Sequence, residues 1–111
     1  MPAPVAKITE AKIEKKVVEF CRKNGLLTFK FASPSNRGVP DRIIVHKGKV
    51  MFLELKRPGN TPTALQEREI ERLKAAGAFA TWADSYDRAV SLLVAFFLIA
   101  EKKKLNPKDL I

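Results

Sequence analysis

The sequence has one cysteine, Cys21, in 111 residues, too few for an internal disulfide or for a zinc site built from several cysteines. Long hydrophobic runs are missing as well. The longest, "AVSLLVAFFLIA" at 89–100, is 12 residues, against the roughly 18 or more that span a bilayer. The opening "MPAPVAKITE" lacks the charged-then-apolar order of a signal peptide. These absences predict a cytoplasmic protein, in a reducing compartment, with no membrane partner. Acids are also scarce: 12 Asp and Glu stand against 21 Lys and Arg, a formal charge of +9. The chain is long enough for one core and not for two, and such a surplus on a small domain favours a polyanionic partner, nucleic acid ahead of membrane.

What is present is strongly patterned. Hydrophobic residues make up 46% of the chain, as in a globular protein rather than a disordered one. Apolar periodicity predicts a helix over 7–23, with Thr9 to cap its start and Gly25 just past its end. A strand is expected at 26–32, a loop in "SPSNRG" at 33–38, and a hairpin turning at Lys47-Gly48. A loop at 57–62, a helix at 63–76, a strand at 78–83 and a helix from Ser85 to about Lys104 complete the chain. The order α-β-β-β-α-β-α predicts a single-domain α/β fold over 1–111, a mixed central sheet flanked by helices. No repeat, linker or low-complexity stretch interrupts it.

The hairpin, "VPDRIIVHKGKVMFLELKRPG" at 39–59, carries the chemistry. With Lys47-Gly48 at the turn, Val45 faces Val50, Ile43 faces Phe52 and Asp41 faces Glu54. The second strand is apolar on both faces until Glu54, which predicts a covered, central strand. Directly opposed residues have Cβ atoms ~4.5–5.5 Å apart. Two carboxylates so placed repel each other unless a divalent cation such as Mg²⁺ joins them. Lys56, two residues past Glu54, shares its face. Two acids, a lysine and a basic surface describe metal-assisted phosphodiester hydrolysis.

Pro40-Asp41, twelve intervening residues and then Glu54-Leu55-Lys56 resemble the PD-(D/E)XK nuclease superfamily. The blocks "SPSNRGVPDRIIV", "FLELKRPG" and "LQEREIERLKAAG", in this order, are similar to the virus-type replication-repair nuclease (VRR-NUC) family, over about residues 10–90. The resemblance implies a restriction-endonuclease-like fold, with Asp41 and Glu54 as metal-binding acids, the Leu55 carbonyl as a backbone ligand and Lys56 as the catalytic lysine. It also implies an acid on the first helix, best matched by Glu14 with Glu10 one turn earlier as competitor, and a glutamine, Gln66, on the helix after the second acid. Mg²⁺ or Mn²⁺ would be the cofactor, with no organic cofactor. The expected activity is a metal-dependent, structure-specific DNA endonuclease, active as a homodimer on branched DNA such as four-way (Holliday) junctions, in a bacterial or phage-type setting.

Local readings compete at several positions. Thr63-x-x-Gln66 also fits a capping box. Arg37, Arg42 and Arg57 flank the acids as phosphate-positioning residues should, or are ordinary surface arginines. His46, the one histidine, lies by the turn and is expected at the surface, far from the acids; this disfavours histidine-based nuclease chemistry. Lys102, Lys103 and Lys104 read as a solvated helix end. In the last helix Val90, Leu93, Val94, Phe97 and Leu98 form one stripe while Leu92, Phe96 and Ile99 cover another side, so the segment 85–104 is expected to bury its excess against a second copy. Two other functions remain: a non-catalytic DNA-binding or assembly protein on a nuclease fold, against which the intact acids stand, and an RNA-binding module using Phe29 and Phe31 as a platform.

Overall fold

A computed structural model of the chain describes residues 8–99. The expected end of the last helix near Lys104, and the run Lys102 to Lys104, lie outside the described residues. Helix α1, Glu10–Lys23, begins three residues later than periodicity suggested, because the Thr9 hydroxyl accepts the Lys12 N–H at 3.1 Å and so fixes the first helical residue. Strand β1, Leu27–Lys30, is shorter than expected. Leu26 is drawn into the core, and its N–H closes on the Cys21 carbonyl at 2.8 Å.

Strands β2, Arg42–His46, and β3, Lys49–Leu55, pair in the predicted register, with Val45 against Val50 and Ile43 against Phe52. Lys47 and Gly48 both have positive φ, 49° and 81°, the conformation a two-residue hairpin needs to match the twist of its strands. Helix α2, Ala64–Ala75, carries the chain over to β4, Phe79–Ala83, which lies parallel to β3 with Leu55 beside Ala83. The sheet order β1-β2-β3-β4 is therefore mixed, as predicted, with β3 inside it.

Strand alternation sends Ile44, Met51, Leu53, Leu55 and Ala83 to one face, all fully buried. There they meet Ile13, Val17 and Cys21 of α1 and Ala89 and Leu93 of α3, Tyr86–Leu93. Among the described residues the opposite face is covered at one side only, where Ile70 of α2 lies buried with Ala80 of β4. Leu27 and Phe29 remain 54% exposed and Val50 39%. Complete cover of β3, expected from its composition, is thus confined to its final residues.

The last helix also departs from expectation. After Leu93 it widens into a π-turn, Val94–Leu98, in which the Ile99 N–H reaches the Val94 carbonyl. The extra residue in that turn lets consecutive aromatics both face inward. Phe96 stacks on Phe79 at 4.3 Å, and Phe97 meets the edge of His46 at 6.2 Å between centroids. Lys49 Nζ donates to the Phe96 carbonyl at 3.1 Å. Phe97 and Leu93 are core residues of their own chain, so the stripe assigned to a second copy is largely spent on this sheet. His46 is half-buried rather than at the surface.

Candidate functional site

The β2–β3 ladder ends at Arg42 and Leu53, and Asp41 and Glu54 occupy the next row. Asp41 follows the buried Pro40, and its Oδ2 accepts the Leu55 N–H at 2.9 Å, a bond that turns the carboxyl across the strand end. Glu54 is only 2% exposed. Its Oε2 accepts from Gln66 Nε2 at 3.1 Å and lies 3.4 Å from Lys56 Nζ, while Oε1, also buried, has no hydrogen-bond partner among the described residues. Lys56 is 8% exposed, its N–H bonded to the Ala83 carbonyl at 2.9 Å, so β4 fixes the backbone from which the ammonium projects.

Gln66 performs both of its sequence-level roles. Its Oε1 accepts the Thr63 N–H at 2.9 Å and its own N–H reaches Thr63 Oγ1 at 3.2 Å, a complete capping box. The amide's other end remains for Glu54. Gly38 explains the loop that precedes Asp41. It has φ +88°, and a Cβ there would sit 3.0 Å from Leu65 Cγ and from the Leu65 carbonyl oxygen. The RGVPDR and LQ blocks, far apart in sequence, are thus pressed together beside Glu54.

Burial pushes the Glu54 carboxyl up to about 7; Asp41 adds repulsion and Lys56 opposes it. Asp41 is raised too, first by burial, with the Leu55 N–H pulling the other way and Glu14 and Glu10 adding negative potential. Two adjoining acids therefore hold their protons more tightly than isolated ones.

No family model matches the chain. The chain is 47% identical over 81 residues, 72% of its length and 87% of the relative's, to the protein named "Putative nuclease p44" of Acyrthosiphon pisum secondary endosymbiont phage 1. A solved structure titled "VRR_NUC domain" superposes with a TM-score of 0.73 and 25% identity, over 81% of this chain and 100% of that one. The chain belongs to the VRR-NUC nuclease family. A second structure, "VRR_NUC domain protein", at 20% identity and a TM-score of 0.71 over 82% and 89% of the two chains, has the same fold.

Within this VRR-NUC site the helix acid is not yet joined to the strand acids. Glu14 Oε2 is held by Arg42 Nη1 at 3.3 Å, and among the described residues no group of three or more His, Cys, Asp or Glu forms a metal cage. Glu14 ranks ahead of Glu10 in its effect on Asp41. Arg42 corrects the sequence reading: it is 9% exposed, with Nε and Nη2 donating to Thr28 Oγ1 at 3.3 and 3.2 Å, and is turned inward rather than offered to a DNA backbone. The signal was present, since Arg42 alternates with Ile43 and must share a face with Ile44 and α1. Thr28 was missed altogether. Arg37 and Arg57 are exposed. The pair of adjoining acids fits an oxygen-seeking cation: Glu54 Oε1 is a buried acceptor without a donor, and a cation would satisfy it while removing the repulsion from Asp41.

Proposed function

We propose that this VRR-NUC chain is a metal-dependent, structure-specific DNA endonuclease that hydrolyses phosphodiester bonds in branched DNA, four-way junctions included, as a homodimer in the cytoplasm. The observation that carries the reading is the unpartnered Glu54 Oε1 beside Asp41, with Lys56 on the same carboxylate. Asp41, Glu54 and the Leu55 carbonyl would hold Mg²⁺ or Mn²⁺, and Glu14 would join them only on releasing Arg42. A bound cation supplies Lewis-acid activation of water and neutralises phosphate charge.

The chain's own residues do the rest. Gln66 and the Leu55 N–H each fix one carboxylate oxygen, leaving the acids little rotational freedom to lose when substrate arrives. Lys56, nearly buried and fixed through Ala83, presents a positive charge where negative charge grows on the phosphoryl oxygens, a contact stronger in the transition state than in the ground state. Arg37 and Arg57, both exposed and flanking the acids in sequence, position the DNA backbone.

For the second copy, the open sheet face replaces the last helix as the supported surface. Rows Leu27–Val45–Val50 and Phe29–Ile43–Phe52 run across β1, β2 and β3 without a charged side chain, and Phe31 packs on Phe52 at 5.6 Å. A +9 chain meets its own copy at least cost where the contact itself carries no charge.

Cleavage of matched duplex, single-stranded, flap and four-way substrates, with and without Mg²⁺, tests the reading in the parent and in Glu54→Gln. Expected is cation-dependent cutting that favours branched substrates and is lost in the variant. DNA binding without cutting, with or without Mg²⁺, would overturn the reading in favour of a non-catalytic assembly protein.

A further inference from the structure

A cavity of about 290 Å³ lies between the first turns of α1 and α3. Its apolar walls are Ile8, Ile13, Pro58 and the Tyr86 ring, and Lys12 and Lys16 stand at its rim. Pro58 is two residues beyond Lys56, so their Cα atoms are within about 7 Å. The loop carrying Pro58 is tied to the base of α3 by the Gly59 N–H, which donates to Asp84 Oδ2 at 3.3 Å. The cavity therefore lies at the same end of the sheet as Asp41 and Glu54, on the α1 side, so a DNA strand leaving the acids reaches it around the sheet's end.

We propose that this cavity is a subsite for one unstacked nucleotide of the DNA substrate, its base inside and its phosphate outward. The proposal rests on the nuclease reading and adds to it a place for a base at the end of the sheet that carries the acids. Size argues for a single ring system, because 290 Å³ lies at the lower end of small-ligand cavities and admits no base pair together with its backbone. Chemistry gives the orientation. Apolar walls and an aromatic ring accept a base of any sequence by its face. Lys12 and Lys16, one helical turn apart, project from the same side of α1 and are both exposed, as phosphate contacts must be. Lys16 Nζ already stands 5.7 Å from the centre of the Tyr86 ring, which links the cationic rim to the stacking surface.

The other polar residues that line it, the half-buried Ser85 and the exposed Asp87, sort in the same sense. Asp87 repels a phosphate and accepts from exocyclic amino or ring N–H groups of a base. Ser85 Oγ accepts the Arg88 N–H at 3.1 Å as the cap of α3, while its hydroxyl proton can still be donated to a base oxygen or nitrogen. A cavity meant for a phosphate would not carry a carboxylate in its wall, and one meant for an apolar side chain would not carry two lysines at its lip.

The test uses fluorescence anisotropy with branched DNA in EDTA, in which a single abasic sugar is moved position by position along the strand near the junction. Removing a base while keeping every phosphate should weaken binding about tenfold at one position and little elsewhere, since stacking of one base is worth ~1–3 kcal/mol. Tyr86→Leu keeps an apolar wall but removes the ring, and should bind intact DNA as weakly as the parent binds the abasic DNA, with no further loss at that position. Tyr86→Phe should restore the pattern. Lys12→Gln and Lys16→Gln, at exposed positions that leave the fold alone, should lower affinity and flatten its salt dependence while keeping the abasic position. Equal binding of every abasic substrate by the parent, or an unchanged pattern in Tyr86→Leu, overturns the subsite. Cleavage of the same DNA in Mg²⁺ is read separately: a position-dependent pattern without cutting would sink the nuclease reading and leave the cavity assignment in place.

Discussion

At the scale of single residues, Glu54 is the most informative group in the molecule. Its carboxyl titrates ordinarily near 4.5 and is pushed up to about 7 in the fold. A folded value above the unfolded one means that the protonated form is favoured by folding, fully so below about 4.5, and that this contribution is lost as pH rises through about 7. The cation-free protein should therefore lose up to about 3 kcal/mol between those limits, whereas Glu54→Gln should lose much less, keeping only the contribution of the raised Asp41 carboxyl. Added Mg²⁺ should raise the melting temperature of the parent above pH 7 and leave Glu54→Gln and Asp41→Asn largely unmoved. Thermal scans at several pH values decide this, and a parent that grows more stable from pH 5 to about 8 without cation contradicts burial as the cause. Lys56 answers to kinetics instead: Lys56→Ala should cut kcat by about a hundredfold or more while DNA affinity falls by less than about tenfold. Equal losses in both would make Lys56 a positioning residue.

At the scale of elements, α2 both ends a loop and holds an acid, and Gln66 allows the two to be separated. Glu completes a capping box as well as Gln does, so Gln66→Glu should keep the helix start. It should also set a third carboxylate against Glu54 in place of a hydrogen-bond donor, lowering cleavage at neutral pH by turning the Glu54 carboxylate from its position. Gln66→Ala should lose both contacts and cost about 1 kcal/mol in urea unfolding. The double role shows what a sequence makes legible. The hairpin register could be read because alternation, Lys47-Gly48 and opposed apolar pairs all report on neighbours along one local ladder. The helix starts at Thr9 and Thr63 were legible for the same reason. The bond from Gln66 to Glu54 was not, because it depends on how the crossover lays α2 against the sheet. Arg42 was misread as a surface contact because a charge within a strand says nothing of an acid waiting on a helix 28 residues earlier. The last helix misled because a 3.6-residue period cannot anticipate the π-turn that carries Phe96 and Phe97 inward together.

At the scale of the whole molecule, the cover that the described residues give the sheet is lopsided, and this sets expectations for assembly. Phe97→Asp should unfold the chain outright, since loss of a buried phenyl at ~3–5 kcal/mol is a large part of a small domain's stability. Phe29→Lys, at a 54% exposed position, should leave the monomer folded and shift light scattering toward half the parent mass at micromolar concentration. A parent already monomeric there would remove the open face from the account of assembly. The hairpin turn has a reach of the same order. Lys47 and Gly48 are exposed and about 20 Å from the acids along β3, a place where homologous chains of most folds gain and lose residues freely. Here one inserted residue would advance β3 by half a pleat, sending Glu54 and Lys56 into the apolar layer under α1 and turning Leu53 and Leu55 toward the substrate. The tip of the hairpin should therefore vary in residue type and stay constant in length, an inheritance rule imposed on a solvent-exposed loop by chemistry at the far end of the strand.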